Sequence, residues 1–155
     1  MAKKASDEQC RANYNQVCAL FNAVVADHDR FQVVYAYGVE VGMTLGIVIR
    51  TTHYKYASYA VGFDTRANEI VVVPTVIDLS DHGQPFSLSR DHIKSAKQSF
   101  MTKEYTIKDD SLPKKYIQLM VPECINEDPD NVCLLVKQDD EAKAFQRFFK
   151  QQFSK

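Results

Sequence analysis

The chain has no tryptophan and only five glycines and five prolines among its 155 residues. That scarcity excludes collagen-like and Pro/Gly-rich disordered chains. It also lacks any apolar window near the roughly 18 residues that a membrane-spanning helix needs. The opening Met1-Ala2-Lys3-Lys4-Ala5-Ser6-Asp7-Glu8 carries the positive charge of a secretory leader but no apolar run after it, so a cytoplasmic protein is expected. An excess of charge of one sign is missing too, the formal net charge being -1. No global field therefore draws nucleic acid or an anionic membrane to the molecule, and no nucleic-acid partner is expected.

Motifs of chemistry are missing as well. Cys10, Cys18, Cys124 and Cys133 form no C-x-x-C pair, and none stands at zinc-finger distance from a histidine pair. In a reducing compartment such residues behave as small buried hydrophobes. Three of the four histidines follow an aspartate, in Asp27-His28, Asp81-His82 and Asp91-His92. Neighbours in sequence point in different directions, so adjacency orients no imidazole. His53 reads as a half-buried strand histidine near Tyr54 and Tyr56. Ser87, Ser89 and Ser95 sit in no nucleophile elbow, and no H-E-x-x-H, Walker or G-x-G-x-x-G pattern occurs. Gly38, Gly42 and Gly46 read as bends or bulges in a coiled strand rather than a phosphate cradle. Glu123, Glu127, Asp128 and Asp130 surround Pro129 without an EF-hand register, which describes a solvated loop. No catalytic residue, cofactor or metal ligand is assigned, and the chain reads as non-enzymatic.

What the sequence does hold is amphipathic order. Ser6-Asp7-Glu8-Gln9 has the form of a capping box. Cys10, Tyr14, Val17, Cys18, Phe21, Val24 and Val25 then recur at three- and four-residue steps within an arc of roughly 120°. These spacings predict a helix over 7–26 that ends at Asp27-His28-Asp29. From Phe31 the period changes to two. A strand ends at Gly38, a β-branched run from Ile47 reaches Tyr56, and Tyr59, Val61 and Phe63 alternate with Ser58, Ala60 and Gly62 as a half-buried strand. Asp64-Thr65-Arg66-Ala67-Asn68 supplies hairpin residues, and Ile70-Val71-Val72-Val73 returns antiparallel until Pro74 interrupts pairing on one side. Beyond a polar loop over 78–85 come a short extended piece at 86–88, a turn at 89–92, and one bent strand or two short ones over 93–107. Strands are predicted at 116–121 and 132–137, with loops at 108–115 and 122–131. Asp139 or Asp140 should cap a last helix that places Ala142, Phe145, Phe148, Phe149 and Phe153 on one arc and Lys143, Arg147 and Lys150 opposite. One α+β domain follows: residues 1–28 form the N-terminal helix, 31–137 an antiparallel β-roll or partly open barrel of about seven strands, and 139–153 a C-terminal capping helix.

This order resembles the pleckstrin-homology-like superfold, particularly its small bacterial members. The hairpin of residues 59–63 and 70–73 looks like that family's central strand pair. The stretch 86–97 is similar to its entry into a second sheet, residues 116–121 and 132–137 look like its last two strands, and residues 140–153 look like its capping helix. The likeness covers roughly residues 31–153; the N-terminal helix is extra, and the capping helix lacks the usual tryptophan. Phosphoinositide-binding members place several basic residues on the first strands. Here 31–49 contains no Lys or Arg and only Arg50 and Lys55 follow, so specific phosphoinositide binding is disfavoured.

The expected role is an intracellular binding or adaptor module for a protein or peptide, or for a second copy of itself. Its sheet edges and N-terminal helix are the natural surfaces. A small ligand or substrate inside the curved sheet, lined by Tyr35, Tyr37, Tyr54, Tyr56 and Tyr59, is the first alternative. Weak peripheral membrane association through the Lys143, Arg147 and Lys150 face is the second.

Overall fold

The computed structural model describes residues 3–40, 48–51, 54–129 and 132–155; the side chains of residues 3, 39, 40, 48–51, 54 and 55 are not described. His53, Gly42, Gly46 and Asp130 lie outside the described residues. After a two-residue strand β1 (Lys3–Lys4), helix α1 runs Asp7–Val24. Its first turn is capped as expected, with Gln9 N donating to Ser6 Oγ at 3.1 Å. The Gln9 side chain turns forward instead and donates to Asn13 Oδ1 at 3.0 Å, so the box is half formed. Cys10, Tyr14, Val17 and Phe21 are buried along the predicted stripe. The helix stops before Val25, whose extended backbone still donates to Phe21 O.

The main sheet contains β2 (Gln32–Glu40), β3 (Val48–Thr51), β4 (Tyr54–Asp64), β5 (Glu69–Thr75) and β6 (Phe86–Ser89). Every pairing is antiparallel, in the order β2-β4-β5-β6, with β3 also paired to β4. Pairing of β5 with β6 ends at Val72 and Phe86, two residues short of Pro74, as a residue without an N–H demands. A second sheet, β7 (Ser95–Gln98), β8 (Tyr105–Lys108) and β9 (Tyr116–Leu119), is a three-stranded meander. The span 93–107 is thus two short strands. A bridge between Tyr37 and Met120 stitches the sheets together at 3.0 and 2.7 Å. They form an α+β arrangement that does not close into a barrel among the described residues.

Helix α1 ends at Val24 rather than at 26, β2 runs on to Glu40, and β9 stops at Leu119; larger differences lie further along the chain. The expected loop 122–131 contains the two-residue strands β10 (Cys124–Ile125) and β11 (Glu127–Asp128), which pair with residues 136–137 and with β1 respectively. The last strand, β12, is only Val136–Lys137. Residues 132–135 leave the ladder because side chains take the amides of Val132, Cys133 and Leu134 and the carbonyl of Leu135. Helix α2 (Asp139–Phe148) has Gln138 rather than an aspartate at its cap position, and the Gln138 side chain, drawn into the interior, makes no capping bond. A wider turn over Phe149–Phe153 then continues it.

The main sheet is buried on both faces. Val34, Ala36, Tyr59, Val61, Phe63, Ile70 and Val72 point into a core shared with the second sheet and with Phe145, Phe148, Phe149 and Phe153. Val33, Tyr35, Ala60, Val71 and Val73 point the other way, under Val17, Phe21 and Val25 of α1. The strand expected to be half-buried is therefore covered twice. Its alternation is one of large against small: the small side at Ser58, Ala60 and Gly62 gives the helix room. A Cβ built on Gly62 would lie 2.2 Å from Phe21 Cζ. Gly38 has a similar cause, since its Cβ would lie 2.5 Å from Gln118 O where the two sheets approach. Phe63, Tyr105 and the α2 phenylalanines meet edge-on or tilted, with centroids 4.7–6.3 Å apart. Burying each such ring is worth about 1.5–3 kcal/mol as an upper figure.

Candidate functional site

The residues between Pro122 and α2 are held by side chains, and that arrangement builds a groove beside α1. Asp128, which the sequence placed in a solvated loop, is buried, and its Oδ2 accepts from Val132 N at 2.6 Å and Cys133 N at 2.7 Å. The Tyr35 hydroxyl accepts from Leu134 N at 3.1 Å and shares a 2.7 Å bond with Ser58 Oγ. Asn13 Nδ2 donates to Leu135 O at 2.8 Å. Gln138 closes the segment. Its Oε1 accepts from Tyr35 N at 2.7 Å, and its Nε2 donates to Tyr35 O at 2.9 Å and Pro122 O at 2.7 Å. An amide side chain thus stands where a neighbouring strand would pair, which satisfies the buried edge of β2 at Tyr35. Among the described residues, 132–135 make no main-chain to main-chain hydrogen bond.

Alongside this segment lies a groove of about 710 Å³. Gln9, Asn13 and Gln16 form one wall at i, i+4 and i+7 of α1, with Leu134 and Leu135 opposite and Ile77 and Asp78 at one end. Amides carry both donors and acceptors, and the half-buried Ile77 and Leu134 add apolar area. Such a lining suits an extended polypeptide better than a compact apolar ligand. Burial raises the Cys133 thiol to about 12, with Asp128 nearby adding to the effect, so it stays protonated near neutrality. A smaller hollow of about 400 Å³ where the two helices begin is lined by charged side chains, among them the bidentate Arg11–Glu141 pair at 2.9 and 2.7 Å.

Of the tyrosines expected to line one cavity, the register sets Tyr59 apart from Tyr35, Tyr37 and Tyr56. Tyr35 is fully buried under α1, and Tyr59 is buried in the opposite core, because residues of opposite parity on paired strands 35↔60 and 36↔59 face opposite sides. Tyr37 packs at the edge of the α1-side core and Tyr56 is half-buried, while the side chain of Tyr54 lies outside the described ones. Tyr35 acts instead through its hydroxyl, whose proton is held well above the ordinary phenol value, chiefly by burial. Lys143, Arg147 and Lys150 are exposed on the outer side of α2 and its continuation, and Lys143 Nζ lies 3.4 Å from Glu123. His28 meets Val25 O and Asp29, His82 meets Gly83 O, and neither contacts a nucleophile.

Sequence reasoning missed Asn13, Asp128 and Gln138. Asn13 falls outside the apolar arc, and Gln138 beside two aspartates looks like a surface residue. The only signal was the amide series Gln9, Asn13 and Gln16 at helical spacing. No known protein family, curated protein or solved structure matches the chain. No helix among the described residues is long and apolar enough to cross a membrane.

Proposed function

We propose that this protein is a non-enzymatic cytoplasmic binding module that takes an extended protein or peptide segment into the groove beside α1. The observation that carries the reading is the run 132–135, whose first three amides and last carbonyl are met by side chains and which no strand pairs among the described residues, standing open to a groove walled by amides. A peptide laid there donates its amides to the main-chain carbonyls of 132–134, while Gln9 and Gln16 bond its backbone from the other wall. Preorganisation by Asp128, Tyr35 and Asn13 lowers the ordering cost of binding. Four free cysteines accord with a reducing compartment. A main sheet, a three-stranded second sheet and a capping helix support the pleckstrin-homology-like reading of the architecture.

The test is a photo-crosslinking residue placed at Gln16, and separately at exposed Arg66 on the far hairpin, in cells of the native host. A discrete polypeptide adduct at position 16 and none at 66 is the expected result. Equal labelling at both, or none at 16, removes the groove as the binding site.

A further inference from the structure

The hairpin joining β7 to β8 carries the two exposed large hydrophobic residues found among the described residues, Phe100 at 86% and Met101 at 87% exposure. They are adjacent, at the tip of a loop tied by its own hydrogen bonds. Ser99 N donates to Glu104 O at 2.8 Å, Lys103 N to Ser99 O at 2.9 Å, and Gln98 Nε2 to Lys103 O at 3.2 Å. Lys103 adopts a positive φ of 65° to close the turn. A loop so tied holds Phe100 and Met101 out in water, at a standing cost in hydration.

The charges around the tip indicate what covers it. Lys103 Nζ stands 5.2 Å over the Phe100 ring. Lys97 leads into the loop on the outer face of β7, and Lys143 lines the same groove as Lys103 and Gln146. Arg147 and Lys150 continue the exposed row along α2. The carboxylates at this end are Glu104 and Glu123, the latter facing Lys143. Lys97, Lys103, Arg147 and Lys150 have no ion-pair partner among the described residues. Two protruding apolar side chains are too few for the core of a standard protein interface, which buries about 800 Å² per partner. They suit the boundary between headgroups and acyl chains, where lysines beside them remain among anionic headgroups.

We propose that the Phe100–Met101 tip inserts into the surface of an anionic bilayer, with Lys97, Lys103 and Lys143 on the headgroups around it. This surface lies on the second sheet and α2, away from the α1 groove, so it stands or falls separately from peptide binding.

The absence of tryptophan makes the test direct, because Phe100→Trp introduces a single reporter. With vesicles of phosphatidylcholine containing about 30% phosphatidylglycerol at low salt, the variant's emission should shift to the blue and be quenched by brominated acyl chains. The unlabelled protein should sediment with these vesicles and much less with pure phosphatidylcholine. Phe100→Ser with Met101→Ser should lower partitioning by about tenfold or more, with thermal stability unchanged because neither side chain is buried. Lys97→Gln with Lys103→Gln should remove most of the salt dependence. No sedimentation at low salt, equal partitioning of wild type and the serine variant, or unshifted emission overturns the proposal. So does an emission that responds to a purified host protein but never to vesicles.

Discussion

Substituting Gly62 by alanine tests the most demanding contact in the fold. The added Cβ would sit 2.2, 2.7 and 3.0 Å from three atoms of the Phe21 ring. An ordinary carbon contact is about 3.5–4 Å, so the ring or the helix must retreat by about 1.3 Å. Phe21 has no exposed surface, and Phe31 stands edge-on to it at 5.6 Å, so there is no free space to enter. Overpacking of this kind costs about 1–3 kcal/mol and belongs here at the upper end, because the obstacle is a ring rather than a flexible tip. Relief of glycine's entropy returns about 0.5–1 kcal/mol, leaving a net loss near 2 kcal/mol. Urea unfolding followed by circular dichroism should show the midpoint falling by about 1 M, with an unchanged slope. Phe21→Leu in the same chain should recover part of that loss, giving a coupling of at least about 1 kcal/mol in the double-mutant cycle. If Gly62→Ala is as stable as the parent, α1 does not pack on β4 as described.

Two further outcomes follow from the polar interior. Gln138→Leu should cost about 2–5 kcal/mol, because it orphans the buried Tyr35 N and O and the half-buried Pro122 O; chemical denaturation measures it, and a change under about 1 kcal/mol would mean water replaces the amide. Burial pushes the Asp64 carboxyl up, but Arg30 at 2.7 Å and the amides of Arg66 and Ala67 outweigh it and hold the value below normal. A carboxyl depressed in the folded state adds stability above its unfolded value of about 3.9 and loses it as pH falls through the folded one, so the unfolding free energy should decline below about pH 4. Arg30→Gln should flatten that decline, and an unchanged acid limb would show that Asp64 is not its source.

The fold was legible where spacing alone determines burial. The α1 stripe and the phenylalanines of α2 are buried as their periodicity requires, and the β4–β5 hairpin turns at 64–68 with Asn68 at φ 52°. β4 was half legible. Its Tyr-Ala-Val-Gly-Phe alternation revealed the period but concealed that the small side receives a helix, since small residues look alike under a helix or in water. The groove was hardly legible. Asp128 and Gln138 are polar residues in a stretch of similar residues; only the tertiary path of β2 supplies the Tyr35 groups that draw Gln138 inward, and nothing local marks Asp128 as the acceptor of the Val132 and Cys133 amides. Of the tyrosines drawn to one cavity, strand parity sets Tyr59 apart, while the pairs Tyr37↔Ser58 and Val39↔Tyr56 keep Tyr56 on the face of Tyr35 and Tyr37.

The central claim is that the unpaired run beside α1 receives an extended polypeptide. Peptides selected by display on the full-length protein can be titrated into isotope-labelled protein and followed by amide and side-chain-amide NMR shifts. The account predicts shifts concentrated at Gln9, Asn13, Gln16 and Leu134–Leu135, with new hydrogen-exchange protection in that run. Shifts confined to other surfaces, or no selected peptide at all, would contradict it.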